Sequence, residues 1–282
     1  MSCDGNSMSI VSAGLIIVVV TALAVTAMLL ARRRAPEGSH FQDGDRAAGV
    51  FGVLATGFAV LLGFVVFLAF ESYDTSRSGA EVEAQIVTQQ FETAQFFPVA
   101  ARGPLSGELV CYARAVIHQE WPKMESGTLG DTVNPWGVAT FRTLKSVEPR
   151  SATEQAAFAK WLDQRSDRED ARADRNHGAE GVIPVPLWIV LLLSASIIFV
   201  FMLFFADSGE HAVVQATMVG AVAIVISSTL LLLWFLDNPY HEGIGGLQPV
   251  AMERSIRILD QEAAVVGDHF AIPCDDRGEP NS

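Results

Sequence analysis

The sequence predicts an all-α membrane protein, with four transmembrane helices and a helical soluble region between the second and the third. Two observations carry this. Half of the 282 residues are apolar although the formal net charge is −13, so apolar and charged residues must be segregated along the chain. The apolar ones gather in four stretches without Asp, Glu, Lys, Arg or His, at residues 10–31, 49–70, 184–206 and 212–236. Each reaches the roughly 20 residues that a helix needs to cross a hydrocarbon core of about 30 Å. A single charge at mid-bilayer would cost about 2.5–3.5 kcal/mol.

Residues 1–9 form an N-terminal tail. The stretch 10–31 reads either as the first span or as a cleaved signal sequence. No Lys or Arg precedes it, its apolar run exceeds a signal core, and three arginines follow, so the span is the better reading. A loop, RRRAPEGSHFQDGDRAA, leads to the second span, and DSGEH joins the third to the fourth. An even number of spans leaves the N-terminus, region 71–183 and an acidic tail, 237–282, on one side of the membrane.

The second span passes without proline into ESYDTSRSGAEVEAQIVTQQFE, whose only glycine is Gly79. Tyr73, Ala80, Ala84, Val87, Phe91 and Ala94 recur at helical spacing, which predicts one helix running from the bilayer to Ala94 and ended by Pro98 and Gly103-Pro104. Further helices are expected over about 105–121, stopped by Pro122, and over about 138–147 before Pro149. The last soluble helix has Ser151 or Thr153 as cap, with Glu154 in its first turn. Beyond Leu162, Arg165, Arg168, Arg172 and Arg175 share one face, with Asp163, Asp167, Asp170 and Asp174 about 200° away. Two readings stand: a solvated face laced with local ion pairs, or a basic strip lining a vestibule that meets ions.

Enzyme chemistry finds no support. His118 to Glu120 lacks the H-E-x-x-H spacing, the turn at Gly243 opens no phosphate-binding helix, and no basic patch suits nucleic acid. No metal and no cofactor are expected. The spans hold no ionisable relay for proton-coupled transport. Cys3, Cys111 and Cys274 lack metal-ligand spacing. Cys111 and Cys274 could pair in an oxidising compartment or remain two unrelated thiols.

Within the spans, Gly52, Thr56, Ala59 and Gly63 in the second and Ala216, Gly220, Ala223 and Ser227 in the fourth form small-residue seams suited to close helix contact. The opposite side of span two, with Phe51, Leu54, Phe58, Leu61, Val65 and Leu68, is bulky and reads as lipid-facing or core. Around a symmetry axis such residues would form an apolar constriction that gates by dewetting.

The stretches ESYDTSRSGAEVEAQI, FFP, CYARAVIHQEWPKM, IPVPLWIVLLLSA and LDNPYHEGIGGLQP, in this order, resemble the bestrophin-like family of bacterial membrane proteins, relatives of the bestrophin ion channels. The matching positions are Tyr73, Asp74, Arg77, Glu83, Ala84, Glu120, Trp121, Pro122, Trp188, Asp237 and Pro239. The resemblance implies a homo-oligomer, a pentamer in bestrophins, whose second spans line a central pore. Leu62-Gly63-Phe64 is similar to the L-G-F stretch of the bestrophin pore helix, which implies Thr56, Val60 and Phe64 at the constriction. The acidic clasp that follows span four in animal bestrophins has no counterpart in NPYHEGIGG, so no calcium gating is expected.

The expected partners are therefore membrane lipid, inorganic ions and further copies of the chain, in a bacterial plasma membrane. Orientation is contested. Arg32, Arg33, Arg34 and Arg46 draw the first loop into the cytoplasm and the large region outside, whereas the resemblance implies the reverse, and the expectation follows the resemblance. Two functions remain open: an oligomeric ion channel, or a non-conducting scaffold or sensor whose soluble helices bind a partner.

Overall fold

The computed structural model describes residues 10–36, 40–41, 43–129, 132–241, 243, 245–266 and 270–281. The expected tail 1–9, with Cys3, lies outside the described residues, as do residues 37–39 and 42 of the first loop and two positions of NPYHEGIGG. The helices are α1 (Ile10–Arg32), α2 (Gly44–Ala94), α3 (Val99–Ala115), a π-turn (Val116–Glu120), α4 (Trp121–Glu125), α5 (Pro135–Lys145), α6 (Ala152–Asn176), α7 (Val185–Phe204), α8 (Ala212–Asp237) and α9 (Val250–Val266). Among the described residues, strand-type pairing is limited to one isolated bridge between Cys274 and Pro280. The chain divides into two compact units, one containing the apolar helices up to Ser72 and over Val182–Asp237, the other Tyr73–Gly181, Asn238–His241 and the chain from Gly246.

In the membrane unit, α1, α7, α8 and the first part of α2 are each long and apolar enough to cross a bilayer. The seam on α8 acts as expected. Gly220, Ala223 and Ser227 are buried, and a Cβ added at Gly220 would touch Val25 and Thr21 of α1 at 3.5 and 3.7 Å. The seam on α2 does not. Gly52, Thr56, Ala59 and Gly63 are exposed, and α2 packs instead through Phe58, Leu62, Val65 and Ala69 onto Leu191, Ala195 and Ile198 of α7 and Leu233 of α8. Those four recur at i, i+4, i+7 and i+11, a single helical stripe, so the large side chains interdigitate and the small ones are left on another face.

At one end of this unit, Arg32 donates to the carbonyls of Ser208, at 3.0 Å, and Glu210, tying the two short loops together. At the other, Asp237 accepts the backbone N–H groups of Val182 and Ile183 at 2.7 and 2.9 Å and the Trp188 indole at 3.3 Å. The carboxylate thereby satisfies backbone donors in the connection that leads into α7.

In the soluble unit, α2 ends at Ala94 as the stripe predicts. Several boundaries differ from expectation. α3 starts at Val99 and takes Gly103-Pro104 into its early turns, and Pro122, expected as a stop, lies in the first turn of α4, directly after the π-turn. α5 starts at Pro135, capped by Asn134, and α6 carries a full capping box between Ser151 and Glu154. The acidic tail contains α9, unforeseen although Met252, Ser255 and Leu259 recur at helical spacing and are buried.

Gly79 has a steric role. A Cβ there would stand 2.7 Å from the Ala171 carbonyl oxygen and 2.8 Å from the Asp174 carbonyl carbon of α6. Mid-helix glycine costs about 0.5–1 kcal/mol against alanine, which the close approach of two backbones offsets. Gly79→Ala is expected to destabilise the soluble unit by about 1–3 kcal/mol through overpacking, read as a lower thermal midpoint in detergent. An unchanged midpoint would contradict the close crossing.

Candidate functional site

Two features stand out, one in each unit. The first is a cluster of charges in the middle of the soluble unit. α6 turns Ala157, Trp161, Gln164, Arg168, Ala171 and Arg175 inward, a stripe at steps of three and four. Arg168 and Arg175 are therefore fully buried, while Arg165 and Arg172 flank the stripe half-buried. For Arg168 and Arg175 neither expected reading holds: they lie on the core face, and the solvated face is the aspartate row.

The reason is a pair of buried carboxylates. The Arg175 guanidinium donates to Glu83 of α2 through Nε at 2.5 Å and Nη2 at 3.2 Å, and Nη2 also reaches Glu120 of the π-turn at 2.5 Å. Glu120 further accepts from Arg172 at 3.3 Å and from the Asn134 amide at 2.9 Å. Tyr112 donates to Glu83 at 2.6 Å, and Tyr240 donates to the Arg175 carbonyl. Arg168 lies over the Tyr112 ring at 4.4 Å and donates to Gln90 at 2.8 Å, while Arg165 lies over Phe141 at 4.5 Å.

Burial pushes the Glu120 carboxyl up, but Arg175 and Arg172 more than reverse it and hold it below the usual carboxylate range. Burial lowers Arg175, and Glu83 and Glu120 raise it above its ordinary value. Burial, then Glu83, pushes the Tyr112 hydroxyl well up, so it stays protonated and donates. Glu120 is thus held charged and the Tyr112 and Tyr240 hydroxyls protonated, so these three are not poised to exchange protons near neutrality. The cluster fastens six segments of chain together, and among the described residues no group of His, Cys, Asp and Glu could hold a metal.

The resemblance residues divide accordingly. Glu83, Glu120 and Trp121 meet around Arg175, with Ala84 beside them accepting Ser255 at its carbonyl. Pro239 is buried against Gly178, and Tyr73 is half-buried at the edge of the core. Trp188 and Asp237 belong to the membrane unit. Asp74 and Pro122 are exposed, and Arg77 pairs on the surface with Glu81 at 3.4 Å. Sequence reasoning missed Tyr112, Asn134 and Tyr240. Only the helix-capping position of Asn134, directly before Pro135, was legible.

The second feature is the uncovered face of α2. Val60 is 69% and Phe64 62% exposed, Thr56 and Phe67 are exposed with them, and a Cβ at Gly52, Gly57 or Gly63 would meet nothing within 4 Å. At 100° per residue this stripe lies about 160–240° from Phe58, on the side turned away from α7 and α8.

Four long apolar helices, with the second continuing into an all-helical soluble core, define an integral membrane protein of a recognisable kind. The Bestrophin-like domain family matches residues 18–251, and the chain belongs to that family. Three crystal structures of bacterial bestrophin homologues from Klebsiella pneumoniae, two of them with single substitutions, share the fold at TM-scores of 0.66, 0.68 and 0.64. Their identities to this chain are 13%, 15% and 14%; the matches cover 89%, 88% and 90% of it and 99% of each of theirs. No curated protein matches this chain.

Two outcomes test the cluster. Glu83→Gln leaves Arg175 short of one carboxylate, and removing one member of a buried pair costs about 3–5 kcal/mol; urea unfolding followed by tryptophan fluorescence should report a loss of that size. Glu120, whose folded pKa is depressed, contributes stability that is full above its unfolded pKa of about 4.3 and is lost as pH falls through the lowered value. The thermal midpoint should therefore fall on acidification below about pH 4, and Glu120→Gln should flatten that acid limb.

Proposed function

We propose that the protein is an oligomeric ion channel of a bacterial plasma membrane, in which copies of α2 surround a shared axis and line the pore. The observation that carries this reading is the uncovered stripe of Thr56, Val60 and Phe64, with the small residues Gly52, Ala59 and Gly63 beside it. Helices in lipid associate by close packing along small side chains. A seam left unused inside one subunit is thus available to the next, and the neighbouring Val60 and Phe64 would then approach the axis. Rings of such side chains form an apolar constriction that dewets when narrow and conducts when it widens. The resemblance of Leu62-Gly63-Phe64 to the bestrophin pore helix supports the same assignment.

Phe64→Ala and Val60→Thr should each raise single-channel conductance or open time several-fold in planar bilayers, and images of the purified particle should show several subunits around a hole. A particle of one subunit that passes no current would remove the channel reading and leave a scaffold or sensor.

A further inference from the structure

We infer that the soluble unit stands in an oxidising, extracytoplasmic compartment, with the two short loops in the cytoplasm. The inference is independent of whether the protein conducts, and it reverses the orientation expected from the resemblance.

The first observation is the join between α3 and the segment 270–281. Cys111 and Cys274 form a disulfide with their Cα atoms 5.8 Å apart, and both are buried. The two sulfurs are brought together by contacts that do not involve them. Arg114 donates to the Asp275 carbonyl at 3.0 Å and pairs with Asp276 at 3.4 Å. Gln119 donates to the Arg277 carbonyl at 3.0 Å, and the Trp136 indole to that of Gly278 at 2.7 Å. Two glycines allow the approach: a Cβ at Gly107 would stand 3.1 Å from Pro273, and one at Gly278, whose φ is +77°, would stand 2.9 Å from the Ala115 Cα. A segment laid this closely on a helix, with a cysteine facing a cysteine at bonding separation, suits a compartment where the bond persists. In bacteria that is the extracytoplasmic side, because cytosolic thiols are kept reduced.

The second observation is the charge of the first loop. Arg32, Arg33, Arg34 and Arg46 flank α1 and α2 closely, which is where the positive-inside bias acts. The arginines that would argue for the opposite side are Arg77, just beyond the second span, and Arg165 to Arg175, near the start of α7. A long region is in any case exempt from the bias. Two unrelated properties, thiol chemistry and loop charge, thus point to one topology.

The test uses the full chain in cells. With thiols blocked at lysis, Cys111 and Cys274 should resist alkylation under denaturing conditions until a reductant is added. In a Cys3→Ser background, Val265→Cys on α9, at a position 87% exposed, should react with a charged, membrane-impermeant maleimide in intact cells. Ser208→Cys in the loop between α7 and α8 should react only after permeabilisation. Labelling of Ser208→Cys but not Val265→Cys in intact cells would overturn the inference, and so would two thiols that alkylate without reductant.

Discussion

The soluble unit depends on one guanidinium shared between two buried carboxylates. Removing ions of this size from water costs several kcal/mol each even after relaxation. Arg175 can remain charged in the core only because Glu83 and Glu120 both reach it and their other oxygens are occupied by Tyr112, Arg172 and Asn134. From α6 it reaches carboxylates on α2 and the π-turn, which α3, Arg172 of α6 and the cap of α5 bond in turn, with the Tyr240 segment close by, so a slip in any one element would strand a charge. The π-turn contributes directly. It adds a residue to the local turn, and without it Glu120 and Trp121 would be rotated by about 100°, away from Arg175.

The α2 helix reverses the usual division of labour between side chains in a membrane. Its large residues make the contacts inside the subunit, and its small residues face outward with Val60 and Phe64. Within a subunit, interdigitated Phe58, Leu62 and Val65 supply dispersion contacts over a large area. Small residues bring backbones close with little side-chain entropy lost wherever another helix meets them. The 51 residues of this helix span about 76 Å at 1.5 Å per residue, more than twice a hydrocarbon core. The sequence between Phe67 and Ala94 is continuous because no proline interrupts it and its glycine serves the crossing with α6.

What was legible in the sequence followed from local rules. Length and neutrality mark the four spans, spacing carries α2 to Ala94, and Ser151 with Glu154 announces the start of α6. Periodicity also placed the four arginines on one face, but it cannot say which way a face points. Polarity argued for water, because the partners that make burial tolerable lie 92 and 55 positions away at Glu83 and Glu120. The same limit misdirected the reading of α2: its small-residue seam was legible, but the face that meets α7 and α8 is the one carrying Phe58, Leu62, Val65 and Ala69. It also left the pairing of Cys111 with Cys274 open, since proximity across 163 residues is a tertiary fact.

That separation bears on how the chain is made. Cys111 leaves the ribosome before α7 and α8 have been synthesised, and Cys274 only after both, so the covalent join cannot form until every span has had its chance to insert. Until then α3 presents an open surface at Gly107 and Ala115, shaped for a strand of chain that does not yet exist. The closing of that surface therefore marks a subunit whose membrane insertion is finished.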